Sequence, residues 1–330
     1  MLILLHGSGD DDLKPENWMP LVAAIMEFYG DLALVLPGVG SEDRGNAKAK
    51  GIEFIQRLKR VWTRLGSPGA GRLQCRDSGS LHDALSGDNL DTLRSFRGSL
   101  NFTKAEELIN SLEQGSEKLI FGKGDSWSGN GIKFRAAIAS FCAILYEGYL
   151  PAEHRTPLRI VGHSRGGSAA ISTHNLCNYW GLVPRTLTLD PCHGVISLRD
   201  NKLHWHTVWG GTVYNIPAVK QVADMPQGAT KRPPISVHSD GNAQVTNHTK
   251  LPDIKHGHMG KFRSFTDSEK NTGRSQMKTE MTSFLFGAAN EAASRAKTSR
   301  QVLEAAYDKF AQKTDDRAVI WQQLVNTVAL

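Results

Sequence analysis

The sequence predicts an α/β class, a mostly parallel sheet with helices on both faces. Three observations carry this prediction. Short apolar runs alternate with segments whose apolar residues recur at helical spacing. Each run closes on Gly, Pro or Asp, residues that stop a strand. One run, 158–161, enters Gly162-His163-Ser164-Arg165-Gly166 and leaves through the small residues Gly167-Ser168-Ala169-Ala170.

The elements follow in order. Leu2-Ile3-Leu4-Leu5 is a buried-strand candidate ending at His6-Gly7-Ser8-Gly9. A strand beginning at residue 2 leads us to expect no extension before it. Residues 17–29 carry Trp18, Leu21, Val22, Ile25, Met26, Phe28 and Tyr29 at helical spacing, and Gly30 can stop that helix. Residues 32–36 form a second strand, closed by Pro37-Gly38-Val39-Gly40. Ile52, Phe54, Ile55, Leu58, Val61 and Trp62 predict a second helix, with Arg57, Lys59 and Arg60 on its wet side.

Residues 66–131 are the least regular part. They are rich in Gly, Ser and Asp and hold only short apolar runs such as Leu108-Ile109 and Leu119-Ile120-Phe121. Placed between an early strand–helix unit and residue 164, the stretch 66–130 reads as an insertion or lid. Gly122-Lys123-Gly124-Asp125-Ser126 lacks the spacing of a phosphate loop and is rejected as one. Residues 132–150 read as a long buried helix, with Phe134, Ile138, Phe141, Leu145 and Tyr149 on one side. The strand 158–161 and the helix 165–180 flank Ser164. Residues 186–189 form a strand stopped at Asp190-Pro191, because Pro cannot donate to a ladder. Residues 193–250 are expected to be loops with a few short strands. Residues 277–286, 288–313 and 315–329 look helical, giving a helical C-terminal segment over 275–330 of a single domain, 1–330.

The 330 residues, 40% of them hydrophobic, can bury a sizeable core. A net charge of +6 and a pI of about 9.1 suit transient contact with an anionic membrane surface. No Lys/Arg block is dense enough for a nucleic-acid tract, so no nucleic-acid partner is expected. Cys75, Cys142, Cys177 and Cys192 are widely spaced with no Cys-x-x-Cys, which argues against a metal or redox motif. Cys142 and Cys177 fall in apolar helical patterns and are expected to be small buried hydrophobes. The first apolar run is too short for a signal peptide and lacks a basic start. No run approaches the roughly 20 residues that span a bilayer. The chain is therefore expected to be made in the cytoplasm, with any export by a signal-less route.

Gly-x-Ser-x-Gly between a strand and a helix is the nucleophile-elbow arrangement of α/β-hydrolases. It makes Ser164 the candidate nucleophile. Glycines on either side permit the tight turn, and the following helix start favours developing negative charge. Chain order in this arrangement is Ser, acid, His. Asp190 ends the next apolar strand and is the candidate acid; Asp200 and Asp224 sit in weaker strand contexts. The base comes later, among His193, His204, His206, His238, His248, His256 and His258. The loop-like segment 251–260 favours His256, with His258 as the alternative. His204-Trp205-His206 matches no established zinc spacing, so no metal is expected. The oxyanion hole needs two backbone donors: Arg165 directly after the nucleophile, and Gly7 or Ser8 after the first strand. Asp10-Asp11-Asp12 reads as a solvated or capping run. The chemistry implied is ester hydrolysis without a cofactor. Rival readings are a small-molecule esterase or amidase on the same residues, and a non-catalytic interaction module whose helical C-terminus contacts a partner.

Three segments together resemble the bacterial α/β-hydrolase-like domain of type VI secretion lipase effectors. They are His6-Gly7-Ser8-Gly9-Asp10, Leu36-Pro37-Gly38-Val39-Gly40-Ser41, and Gly162-His163-Ser164-Arg165-Gly166-Gly167 followed by Leu189-Asp190-Pro191. Arg165 after the serine matches that family's Gly-x-Ser-Arg-Gly elbow. Residues 252–260 look like the family's Pro-Gly-x-His loop, with His256 at the catalytic place. Here Asp253 replaces the Gly and one residue is added before His256, which keeps His258 open. The resemblance covers residues 1–62 and 157–262. It implies a lipid or phospholipid ester as substrate and an immunity-type protein as partner.

Overall fold

A computed structural model describes residues 1–7, 17–28, 31–39, 46–69, 101–112, 126–191, 207–208, 210–220, 237–239, 241–248, 251–261 and 272–286. Its centre is a sheet of six parallel strands. In chain order these are β1 (Leu2–Leu5), β2 (Ala33–Leu36), β3 (Arg159–His163), β4 (Arg185–Leu189), β6 (Thr212–Ile216) and β9 (Gln244–Asn247). In space they run β2-β1-β3-β4-β6-β9. Two short parallel pairs accompany them: β5 (Thr207–Val208) with β8 (His238–Ser239), and β7 (Ala218–Lys220) with β10 (Leu251–Lys255).

Strand side chains alternate between faces with a period of two, and the two cores follow that alternation. Ile3, Leu5, Leu34, Leu36 and Ile160 face one core. It is completed by α2 (Asn46–Arg64), α3 (Phe102–Ser111), α4 (Ser126–Tyr149) and α5 (Arg165–Tyr179). Leu2, Leu4, Val161, Leu187 and Leu189 face the other, closed by α1 (Met19–Phe28) and α6 (Thr272–Phe286). The architecture is thus α/β with a parallel sheet covered on both faces. Cys142 and Cys177 are buried in the first core, and burial pushes both thiols up. Among the described residues no helix is long and apolar enough to cross a membrane.

Four departures from the sequence reading have physical reasons. The irregular stretch 66–130 contains α3, started by Asn101, whose Oδ1 accepts Lys104 N–H at 2.7 Å. Phe102, Ala105 and Ile109 of α3 belong to the first core. In 193–250, β6 and β9 are full members of the sheet rather than minor strands in loops. In 251–260, the loop-like segment is β10 followed by a single 3₁₀ turn, His256–His258. Pro252 is tolerated because the β10–β7 pairing is irregular between Leu251 and Lys255. Arg57 is not on a purely wet side. It pairs with Glu27 and donates Nη2 to the Ala33 carbonyl at 2.8 Å, while Lys59 and Arg60 are exposed. Residues 70–100, 113–125, 192–200 and 287–330 lie outside the described residues. Leu119-Ile120-Phe121, the last two C-terminal helices, Cys75, Cys192 and Asp10-Asp11-Asp12 fall there or in 8–16.

Candidate active site

The strand order reverses at β1. The chain places β2 on one side of β1 and then returns to place β3 on the other. In open parallel sheets, ligands bind at the carboxyl ends of the strands flanking such a switch point. Gly7 follows β1 there, and Ser164 follows β3.

Ser164 sits between the last residue of β3 and the first of α5, at φ 57° and ψ −126°. Such a backbone is costly for a residue with a Cβ and persists only where neighbours impose it. The neighbours are close. Ser164 N–H donates to Leu189 O at 3.0 Å, and Gly167 N–H donates to Ser164 O at 2.9 Å. A Cβ at Gly162 would fall 2.1 Å from Gly166 O, and one at Gly166 would fall 2.1 Å from Leu5 O. Only glycine lets α5 start this near the strand ends.

Asp190 stands one step beyond β4, as Ser164 does beyond β3. Its N–H donates to Ile216 O at 2.8 Å, and its φ is 43°. Its carboxylate is buried. His256 opens the 3₁₀ turn after β10. Its Nδ1 lies 2.6 Å from Asp190 Oδ2, and its Nε2 lies 2.8 Å from Ser164 Oγ. A carboxylate only accepts, so Nδ1–H donates to Asp190 and the Nε2 lone pair receives the Ser164 hydroxyl proton. The ring that bridges acid and serine belongs to His256; His258 ends the same turn.

Two contacts hold this turn. Trp18, fully buried at the start of α1, donates Nε1–H to Met259 O at 2.9 Å. His163, the last residue of β3, donates Nε2–H to His256 O at 2.8 Å. Burial and the neighbouring His256 push the His163 imidazole down to about 3, so it is neutral. Sequence reasoning passed over both. Trp18 appeared only as a core residue, and His163 as the variable position of a motif.

The remaining candidates are placed as follows. Arg165 supplies the first N–H of α5, at the end where helix N–H groups point outward along the axis. Gly7 lies against the elbow: a Cβ there would fall 3.2 Å from Ser164 Cβ and 2.8 Å from His163 Nδ1. Ser8 lies outside the described residues, as do Asp200, Asp224, His193, His204 and His206. His248 is away from the serine, with Nδ1 3.9 Å from Glu280 Oε1 of α6, and His238 is exposed on β8. Among the described residues no three His, Cys, Asp or Glu side chains are grouped as metal ligands. In comparison with known proteins, the chain matches no family model and no curated protein.

Proposed function

We propose that this chain is a serine hydrolase of carboxylic esters on an α/β-hydrolase-like fold, with lipid esters as its substrate class. The observation that carries the reading is the unbroken Asp190–His256–Ser164 hydrogen-bond chain, with Ser164 on a strained strand-to-helix turn.

A serine hydroxyl is a weak nucleophile and needs a base within hydrogen-bond reach. His256 Nε2 takes the proton as Ser164 Oγ attacks the ester carbonyl carbon. Asp190 accepts Nδ1–H throughout, which fixes the tautomer and stabilises the imidazolium. The developing oxyanion meets the Arg165 N–H and a second N–H from Gly7 or Ser8. The imidazolium then protonates the leaving alkoxide. Water, deprotonated by His256, attacks the acyl carbonyl, and Ser164 departs with its proton restored. The reaction calls for no cofactor.

The preference for lipid rests on the resemblance to type VI secretion lipase effectors and on the net charge of +6, which suits an anionic membrane surface. A lid within 66–130 would lie outside α3, which is core. Signal-less export and an immunity-type partner belong to the same proposal. A Ser164→Ala variant should keep the wild-type circular dichroism and melting temperature and lose ester hydrolysis by about four to six orders of magnitude. Short soluble esters compared with phospholipid vesicles separate a small-molecule esterase or amidase from a lipase. Wild-type turnover by the variant, or failure of a fluorophosphonate to label Ser164 in the folded protein, overturns the reading.

A further inference from the structure

We propose that His163 is a positioning residue for the base, acting through its Nε2–H on the His256 backbone. The proposal rests on the hydrolase reading, and the test below separates the two.

The geometry is specific. β3 ends at His163, and its ring lies tilted against that of His256, with centroids 4.9 Å apart. Nε2–H reaches the His256 carbonyl at 2.8 Å. The same carbonyl accepts Met259 N–H at 3.3 Å, so one oxygen is held by both the turn and the sheet. His163 therefore ties the strand that carries Ser164 directly to the turn that carries His256. The ring's other nitrogen faces two glycines. A Cβ at Gly7 would fall 2.8 Å from Nδ1, and one at Gly260 would fall 3.0 Å from it.

The tautomer follows from this packing. Nε2 carries the proton, because its partner is a carbonyl. Nδ1 then holds a lone pair, buried and without a hydrogen-bond partner among the described residues. A second proton at Nδ1 would find no acceptor among the described residues. A buried acceptor left without a donor costs stability, whereas an aliphatic side chain of similar shape would not. The imidazole is a poor choice for packing alone. What it supplies is a rigid donor aimed at the base's backbone. Its neutrality also matters, because His256 becomes a cation during the reaction. The titratable groups facing His163 are His256 from the turn and His6 from the end of β1.

The test compares wild type with His163→Leu, which keeps the branched shape, and His163→Gln, which keeps an N–H donor. Each is measured for ester kcat and KM, for melting temperature, and for the downfield proton resonance of His256 Nδ1–H. For His163→Leu we expect kcat to fall about 100-fold with KM little changed, since misplacing a reacting group by about 1 Å has that effect. The melting temperature should not fall, and the downfield resonance should broaden or vanish. His163→Gln should recover about tenfold of the lost kcat and the resonance with it. A merely structural role predicts a lowered melting temperature and no rescue of kcat by Gln, and that pattern overturns the proposal. So does a folded His163→Leu protein with wild-type kcat. A wild type that hydrolyses no ester overturns the hydrolase reading instead. The resonance then still decides His163: its loss in His163→Leu supports positioning, and its retention refutes it.

Discussion

Ser164 and Asp190 share an unusual position: each is the first residue past a parallel strand, each has a positive φ, and each is fixed by a backbone bond to the next strand over. The backbone of the sheet thus sets the height of both side chains, and α5 locks the first of them. Gly7 completes the arrangement from the far side of the switch point. A Gly7→Ala substitution places a Cβ 2.8 Å from His163 Nδ1 and 3.2 Å from Ser164 Cβ. We expect it to cost about 1–3 kcal/mol in urea denaturation, the usual result of overpacking. Ester kcat should fall by about tenfold or more as the elbow and His163 are pushed apart. Unchanged kcat in a folded Gly7→Ala protein would mean that the β1 end does not face the reacting atoms.

At the scale of elements, the turn His256–His258 is the piece on which the proposed chemistry depends, and Trp18, just before α1, holds it through Met259. Replacing Trp18 by Phe keeps most of the buried ring and removes the donor to Met259 O. The change should cost about 1–2 kcal/mol, because it leaves a carbonyl without its partner. It should also lower kcat more than it raises KM, a split that steady-state kinetics reads directly. The sequence made part of this legible. Chain order alone pointed to Ser164, Asp190 and a histidine near 256. It favoured His256 but kept His258 open, because successive residues of a 3₁₀ turn rotate by about 120° and only the fold says which faces the sheet. β6 and β9 were hidden for a different reason. Largely buried β6 carries the polar Asn215, and β9 is a polar, mostly exposed strand at the sheet edge. The structure satisfies them sideways: Thr188 donates to Asn215 Oδ1 at 2.9 Å, and Asn215 donates to Asn247 Oδ1 at 2.9 Å. α3 was readable in principle, from Asn101 as a cap and apolar residues at 102, 105 and 109, but the surrounding Gly, Ser and Asp masked it.

For the molecule as a whole, the two buried histidines held neutral should make the fold lose stability in acid. His163 is held near 3 and His174 near 4, both chiefly by burial, against 6.5 in the unfolded chain. His174 is fixed between Thr186 Oγ1 at 2.8 Å and Gly210 O at 2.6 Å. Between pH 6.5 and about 4 the unfolded chain binds two protons that the folded chain does not. Stability from these two sites is therefore complete above pH 6.5 and falls as the pH drops, by roughly 3 kcal/mol per pH unit at its steepest. Urea midpoints across pH 4–8 measure that slope, and a His174→Asn variant should lose one proton's share of it, roughly 1.4 kcal/mol per pH unit. A slope that His174→Asn leaves unchanged would assign the acid sensitivity to other groups. The strand order also governs the life of the chain before it is finished. β1 leaves the ribosome well before its partner β3, which lies beyond residue 158, and Ser164, Asp190 and His256 follow. Contacts this distant in sequence form late. Under the proposed mechanism a nascent polypeptide carries Ser164 without its base while residues 165–255 are made, and hydrolysis waits until β10 and its turn have docked.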